Sequence, residues 1–353
     1  MTYEVTIEPL GQTIEVEEGQ TILDAALRAG IWLPHACCHG LCATCKVQVT
    51  EGEVDLGEAS PFALMDMERA EGKALACCAI PQSDLSIEVE IDEDPDAKVI
   101  PLRDFEATVE SIVDLTPTIK GIFLRVSEDV VFQAGQYINL YLPGLAEPRA
   151  FSIASAPSEG NLIELNIRRV PGGAATTWIH DDLEVGQVLN FSGPLGRFYT
   201  RLSDPNPVIF IAGGSGLSSP KSMILELLES GDSRTITLLQ GARNQAELYY
   251  YDFFTDLAAR HPQLRYVPVL SDEANDSEWT GERGFVHEAA VRVFDNDFRD
   301  HKAYLCGPPP MIEASIRALM RGRLFERDIH MEKFLSAADA ANQATRSPLF
   351  KNI

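Results

Sequence analysis

Pro34-His35-Ala36-Cys37-Cys38-His39-Gly40-Leu41-Cys42-Ala43-Thr44-Cys45, with Cys77-Cys78 further along, is the stretch on which the reading of this chain turns. Cys37, Cys42 and Cys45 stand at C-x4-C-x2-C, and a distant fourth cysteine completes the ligand spacing of a plant-type [2Fe–2S] cluster. Four thiolates are needed because each of two irons takes two protein ligands, so a tight loop supplies three and a remote segment clamps the fourth. Gly40 suits a loop whose backbone amides approach the sulfurs closely. Only Cys37, not Cys38, keeps the four-residue gap to Cys42. Cys77 and Cys78 are adjacent, and on an extended segment neighbours point opposite ways, so only one is expected to face the metal. Cys38 and Cys78 read as the extra pair, packed as small apolar side chains. The chemical rival is a structural zinc, because Cys42-x2-Cys45 is half of a zinc ribbon. Its other half would be a second C-x2-C, a role that adjacent cysteines serve badly. A [2Fe–2S] cluster moves one electron and does little other chemistry, so the chain is expected to transfer electrons.

Composition sets the frame. A chain of 353 residues, 45% hydrophobic and 23% charged, suggests an ordinary soluble protein of two or three domains. It holds no apolar run of membrane-spanning length, and Met1 to Pro9 alternates like a strand rather than a signal peptide. Six of the seven cysteines lie between Cys37 and Cys78, with Cys306 alone. An odd number clustered at metal-ligand spacing argues for a reducing cytoplasm rather than a disulfide framework. The formal charge is −24, and residues 1–100 hold about 20 acidic side chains against about 5 basic ones. That sign makes nucleic acid a poor partner. Most of these carboxylates read as a solvated face, and part of the patch could steer docking to a basic electron acceptor.

Three architectures follow one another. Residues 1–92 read as a small β-grasp domain: strands at Tyr3–Glu8 and Thr13–Glu17 as a hairpin, a helix from a Thr21/Asp24 capping box to Ala29 stopped by Gly30, a strand at Lys46–Thr50, a helical patch at Phe62–Arg69 and a last strand at Leu85–Ile91. Residues 93–102 read as a charged linker opening on Asp92-Glu93-Asp94-Pro95-Asp96. Residues 103–203 are β-rich, with strands at Ala107–Val113, Gly121–Val126, Tyr137–Leu142, Leu162–Arg168 and Gln187–Ser192 and a helix at Ala174–Leu183, as in a barrel. Residues 204–353 alternate strands Val208–Ala212, Thr235–Gln240, Arg265–Leu270 and Lys302–Leu305 with helices Pro220–Glu229, Gln245–Arg260 and Pro309–Arg321, as in a parallel α/β sheet. The fold class expected is therefore multidomain, α+β and α/β.

Two glycine turns carry phosphate-binding logic. Gly172-Gly173-Ala174-Ala175-Thr176 precedes a helix, so backbone amides and a helix N-terminus can meet a phosphate. Strand Val208–Ala212 runs into Gly213-Gly214-Ser215-Gly216-Leu217 and then a helix. This is not the full G-x-G-x-x-G fingerprint, yet it keeps the strand–glycine–helix context that holds a pyrophosphate. Arg149-Ala150-Phe151-Ser152 resembles the flavin-binding R-x-[YF]-S motif of the ferredoxin reductase superfamily, which implies an arginine that neutralises a pyrophosphate, an aromatic along the flavin and a serine that hydrogen-bonds near flavin N5.

Pro34 to Cys45 with Cys77-x3-Pro81-x2-Asp84 resembles a plant-type ferredoxin domain. Fused ahead of a β-rich and an α/β segment, it resembles the NADH-dependent reductase components of bacterial multicomponent oxygenases, nearest to phenol hydroxylase reductases. The resemblance spans nearly the whole chain, the stretch beyond Leu335 carrying no usable motif. It implies that Cys77 is the fourth iron ligand beside Cys37, Cys42 and Cys45. It implies FAD at the R-x-[YF]-S motif Arg149, Phe151, Ser152 and at Gly172, Gly173 and Thr176. It implies NADH at Gly213, Gly214 and Gly216 and at Cys306-Gly307-Pro308-Pro309-Pro310-Met311, which resembles a C-G-P-P-x-M signature whose cysteine lies beside the nicotinamide. Glu332-Lys333-Phe334 resembles an E-x-[YF] segment whose aromatic covers the flavin, here with chain continuing beyond Phe334. Ser152, Cys306 and Glu332 are the candidate catalytic residues. Arg243 could meet a 2′-phosphate, but no Ser-Arg/Lys cluster accompanies it, and NADH is favoured over NADPH. The family pattern has Ala-Pro after its glycine turn. Ser218-Ser219-Pro220 departs from it, a change read as without consequence. The expected partner is a separate oxygenase, a diiron phenol hydroxylase, with other aromatic, alkene or Rieske-type oxygenases as the alternative.

Overall fold

The computed structural model describes residues 1–36, 38, 40–91 and 94–334. Cys37, the Asp92-Glu93 start of the linker and the stretch beyond Leu335 lie outside the described residues. The chain divides into two compact units, Met1–Arg103 and Asp104–Ile353.

In the first unit, β1 (Thr2–Glu8) and β2 (Gln12–Glu17) form the expected antiparallel hairpin, with Val5 opposite Ile14. Val5, Ile7, Ile14 and Val16 are buried while Glu4, Glu8, Glu15 and Glu17 face water, the period-two pattern of a strand with one face covered. Helix α1 (Ile22–Arg28) starts at Thr21, whose hydroxyl accepts from the Asp24 amide at 3.3 Å. The reciprocal half of the capping box is absent, because the Asp24 carboxylate instead accepts from Gln20 and Arg28. Strands β3 (Lys46–Glu51), β5 (Lys73–Leu75) and β7 (Leu85–Glu88) complete a five-stranded sheet ordered β2-β1-β7-β3-β5. The short β4 (Val54–Asp55) and β6 (Ile80–Pro81) pair beside it. Ile22, Leu23 and Ala26 of α1 share one core with Val5, Ile7, Val47 and Ile87, so the sheet clasps the helix as a β-grasp. The helix expected over residues 62–69 is α2 (Asp66–Ala70). It begins late because the Glu68 carboxylate accepts from the Met65 amide and so fixes the start of the helix there.

The second unit begins with six antiparallel strands: β8 (Arg103–Asp114), β9 (Ile119–Val126), β10 (Tyr137–Tyr141), β11 (Arg149–Ser152), β12 (Leu162–Arg168) and β13 (Val188–Leu195), ordered β11-β10-β13-β8-β9-β12. A bridge between Ile153 and Leu165, with the Ala154 amide donating to Glu164 O at 2.8 Å, joins the two edges and closes the sheet into a barrel. Ile122, Leu124, Ile138, Ile163, Leu165 and Phe191 fill it, and α3 (Ala174–Asp181) adds Ala175 and Ile179.

The rest of this unit is a parallel sheet of β14 (Val208–Gly213), β15 (Ile236–Ala242), β16 (Leu264–Leu270), β17 (Glu282–Arg283), β18 (Lys302–Gly307) and β19 (Ile329–Lys333), ordered β17-β16-β15-β14-β18-β19. Its helices are α4 (Ser218–Glu229), α5 (Tyr251–Arg260), α6 (Val286–Val293) and α7 (Pro309–Arg321). Every residue of β14 is buried, as a strand covered on both faces must be. Helix α5 is shorter than expected: Tyr250 has φ +58°, so the chain turns there and the helix starts one residue on. The strand order reverses between β14 and β18, and ligands of open α/β sheets bind at the carboxyl ends of strands flanking such a switch.

Candidate active site

Gly213-Gly214-Ser215-Gly216-Leu217 leaves β14 as a tight 3₁₀ turn that feeds directly into α4. It abuts the end of β18 backbone to backbone. A Cβ on Gly216 would stand 2.4 Å from the Cys306 carbonyl oxygen, and Gly307, at φ +148°, would put one 2.9 Å from Gly213 O. Only glycine fits either place. Pro308 precedes α7, and Pro309 and Pro310 occupy its first turn, where a missing amide proton costs nothing.

Around this crevice four side chains converge. Cys306 and Glu332 are register partners on β18 and β19, which puts them side by side. The Glu332 Oε2 accepts from Ser152 Oγ of β11 at 3.1 Å and from Ser219 Oγ of α4 at 3.1 Å, with Cys306 Sγ at 3.8 Å. Cys306 and Ser219 are fully buried and Ser152 nearly so. Burial pushes the Glu332 carboxyl up to about 7, against the hydrogen bonds from Ser152, Ser219 and Cys306 that favour its charged form. Burial, and then the neighbouring Glu332, raise the Cys306 thiol well above its ordinary range. Phe334 is half-buried against the core that includes Cys306, and its amide donates to Gly307 O at 3.0 Å.

Three predicted residues, Ser152, Cys306 and Glu332, thus meet at one point although they are far apart in sequence. The fourth, Ser219, corrects the reading of Ser218-Ser219 as a change without consequence: its hydroxyl is part of the constellation. The raised Glu332 carboxyl also makes a stability prediction. A group whose folded value lies above its unfolded one stabilises below the unfolded value and loses that contribution as pH rises through the folded one. Glu332→Gln is therefore expected to gain thermal stability relative to the parent as pH rises from about 4.5 to about 7, and to keep that gain above it. Parallel melting curves for the two proteins across that range would contradict it.

The barrel carries the remaining candidates. Ser152 closes β11 opposite Tyr137, and Phe151, opposite Ile138, packs half-buried on the barrel core. Arg149 is exposed, its guanidinium donating to the carbonyls of Glu147 and Pro148 in its own loop. Gly172 has φ +72°. Gly173 is the N-cap of α3 with no side-chain cap, so the first amides of that helix are left for another acceptor. The Thr176 hydroxyl accepts from the Val170 amide and pins the turn.

Sequence reasoning missed two features. Arg168 brings a guanidinium nitrogen to 3.3 Å from where a Gly214 Cβ would stand. A buried ion pair joins Lys221 of α4 to Glu164 of β12 at 2.6 Å, with the Tyr250 hydroxyl donating to the same carboxylate at 2.6 Å and Lys221 donating to Ala154 O. The signal was a lysine among the small and apolar residues at the start of a helix and a glutamate inside a barrel strand, each unexplained unless paired. Arg243 forms an ion pair with Glu247 at 3.6 Å.

In the first unit, the Ala76 amide donates to Cys45 O at 2.8 Å and brings the Cys77-Cys78 segment to the cysteine loop. That segment is a turn, with the Cys78 and Ala79 amides both donating to Leu75 O. The expectation of an extended segment therefore fails, and the two sulfurs lie 3.7 Å apart rather than on opposite sides. Cys45 also hydrogen-bonds Cys77. The hydrogen bonds it receives lower its proton affinity, while those Cys77 shares with Cys45 and Cys78 raise that of Cys77. Cys78 is brought down to about 7 by Cys77. Thiols from two segments sharing protons at contact distance are a donor set that soft metal ions replace, and it fits an iron–sulfur group. Among the described residues no three His, Cys, Asp or Glu side chains gather on a single metal position. Cys37, the expected first ligand, lies outside them.

A β-grasp with a thiol loop, a closed barrel and a parallel sheet whose switch point meets that barrel define an iron–sulfur flavoprotein oxidoreductase. Comparison with known proteins agrees. Residues 5–82 match the 2Fe-2S iron-sulfur cluster binding domain, 107–199 the oxidoreductase FAD-binding domain and 210–316 the oxidoreductase NAD-binding domain. The chain is 61% identical over its whole length, and that of the relative, to the phenol 2-monooxygenase reductase component DmpP of Pseudomonas sp.. It is also 61% identical over both full lengths to the phenol hydroxylase P5 protein of Acinetobacter pittii. The crystal structure of Amycolatopsis cytochrome P450 reductase GcoB superposes with a TM-score of 0.86 at 39% identity, over 94% of this chain and 99% of that one. The chain belongs to the family of oxygenase reductase components built from these three domains, and its cofactors are a [2Fe–2S] cluster, FAD and NADH. Among the described residues no helix is long and apolar enough to cross a membrane.

Proposed function

We propose that this protein takes electrons from NADH and delivers them singly to a separate oxygenase component, a diiron phenol hydroxylase, in the cytoplasm. The acceptor rests on the two full-length relatives named for phenol hydroxylation. The working modules are residues 1–92, 103–203 and 204–353, with 93–102 as linker. The observation that carries the route is the Glu332 carboxylate, which hydrogen-bonds Ser152 of the barrel and Ser219 of the nucleotide fold beside Cys306.

When bound, the flavin supplies the conversion of a two-electron hydride into single electrons and the cluster relays them. The chain's own residues position and shield. Gly213, Gly214 and Gly216, on the turn into α4, offer amides to the pyrophosphate of the dinucleotide, with Gly307 and Pro308 forming the facing wall. Gly172, Gly173 and Thr176 offer the α3 N-terminus to the flavin phosphates, with Arg149 free to swing from its loop carbonyls onto the same charge. Phe151 and Phe334 would flank the flavin, Ser152 would offer it a hydroxyl donor, and Cys306, its thiol neutral, would line the place of the nicotinamide. Cys37, Cys42, Cys45 and Cys77 hold the cluster. Arg243 pairs with Glu247 rather than with a cluster of further cations, which supports NADH over NADPH.

Cys306→Ala tests the route. Single-turnover reduction of the flavin by NADH is expected to fall by about tenfold or more, the scale of losing one positioning contact, with flavin content unchanged. An unchanged rate would remove Cys306 from the site.

A further inference from the structure

Ser219 is a polar group at the crevice that the reading above does not use. It sits in the first turn of α4, fully buried, and its hydroxyl proton is directed at Glu332 Oε2 at 3.1 Å. Its neighbour Ser218 behaves differently and donates to Ser215 O within its own turn at 2.9 Å, a local bond of the kind serines make at helix starts. Ser152 donates to the same Oε2 from the barrel side, also at 3.1 Å. Each hydroxyl has one proton, and both are directed at one oxygen atom. Such a pair of donors suits a carboxylate and leaves that oxygen no room for a proton of its own.

We propose that Ser219 is a positioning residue that, together with Ser152, favours the ionised form of Glu332 and aims it at the space beside Cys306. The proposal rests on the reading of this crevice as the nicotinamide–flavin site. The groups facing Glu332 are few. Cys306 on β18 is the titratable neighbour, and burial keeps its thiol protonated. Ser152 on β11 and Ser219 on α4 are neutral. Of the cations on the elements around it, Lys333 is engaged by Glu313 at 2.7 Å, Lys221 by Glu164 at 2.6 Å, Lys302 by Asp328 at 2.7 Å and Arg149 by the carbonyls of Glu147 and Pro148, while Arg168 lies beside Gly214. Among the described residues no cation offsets the burial of this carboxyl; hydrogen bonds from the two hydroxyls and then from the Cys306 thiol favour its charge. Without Ser219 the balance at neutral pH moves further to the protonated form, and a neutral carboxyl that has lost one of its donors is free to turn away from the crevice.

The test is a pH titration of the Glu332 carboxyl in the resting holoenzyme by difference infrared spectroscopy, with Glu332→Gln as the reference that identifies its band. Ser219→Ala is expected to move the midpoint upward by about one pH unit, a tenfold change in the ratio of charged to neutral form, which is the size of one hydrogen bond to an ionised group. Ser219→Thr keeps the hydroxyl and is expected to keep the midpoint, and Ser218→Ala is expected to leave it in place. In single-turnover flavin reduction by NADH, the acid limb of the pH profile should move upward in parallel. A Ser219→Ala midpoint equal to the parent's overturns the proposal. If the midpoint moves but Glu332→Gln reduces flavin at the parental rate at every pH, Ser219 governs Glu332 as proposed and it is the nicotinamide-site reading that fails.

Discussion

Cys77→Ser is expected to strip the protein of its cluster while NADH still reduces the flavin. A serine oxygen is a poor replacement for thiolate sulfur at iron, and with three good ligands left the loop cannot close around both metals. Purified Cys77→Ser should therefore lose most of its iron and the visible absorption that goes with it, keep its flavin, and lose electron delivery to one-electron acceptors by orders of magnitude. The geometry makes the companion variant informative. Cys78 Sγ lies 3.7 Å from Cys77 Sγ in the same turn, against Gly40, whose missing Cβ would stand 2.7 Å from it. Cys78→Ser is expected to keep full iron content. The reverse pattern, with iron kept in Cys77→Ser and lost in Cys78→Ser, would assign the fourth ligand to Cys78.

The second large effect concerns the seam between barrel and nucleotide fold. Lys221→Met leaves the Glu164 carboxylate buried without its cation, and breaking one side of a buried pair costs about 3–5 kcal/mol. For a unit of this size that is a fall of about 10 °C in thermal midpoint, measured on the flavin-loaded protein. Glu164→Gln in the same chain removes the stranded charge while its amide oxygen still accepts from Tyr250, so the double variant should recover most of the loss. A single variant within about 0.5 kcal/mol of the parent would show that the pair is dispensable. Because Ser152 approaches Glu332 across this same seam, flavin reduction in Lys221→Met should slow as well.

What could be read from the sequence was local. The C-x4-C-x2-C loop, the strand running into Gly213-Gly214-Ser215-Gly216, and the Cys306-Gly307-Pro308 step each place their chemistry within a few residues, and spacing alone conveys it. Strand Leu162–Arg168 and helix Pro309–Arg321 were legible to the residue because their patterns are bounded by clear turn and proline signals. The rest depends on register and strand order. Ser152 and Ser219 reach Glu332 only because β19 joins the sheet beside β18 and the barrel edge faces the start of α4, contacts that span much of the chain. The Lys221–Glu164 pair has the same origin. Cys77-Cys78 was misjudged for a different reason: the alternation rule holds for strands, and this pair sits in a turn. The shortened α5 reflects a left-handed Tyr250, a conformation that composition does not announce.

The central claim is that one chain turns a paired delivery of electrons into single ones, and stopped-flow mixing of the oxidised protein with NADH tests it most directly. Flavin absorbance should bleach first, followed by the cluster's visible band, with about one electron reaching each cluster. NADH consumed while the cluster band stays oxidised, or a cluster that bleaches before the flavin, would contradict it.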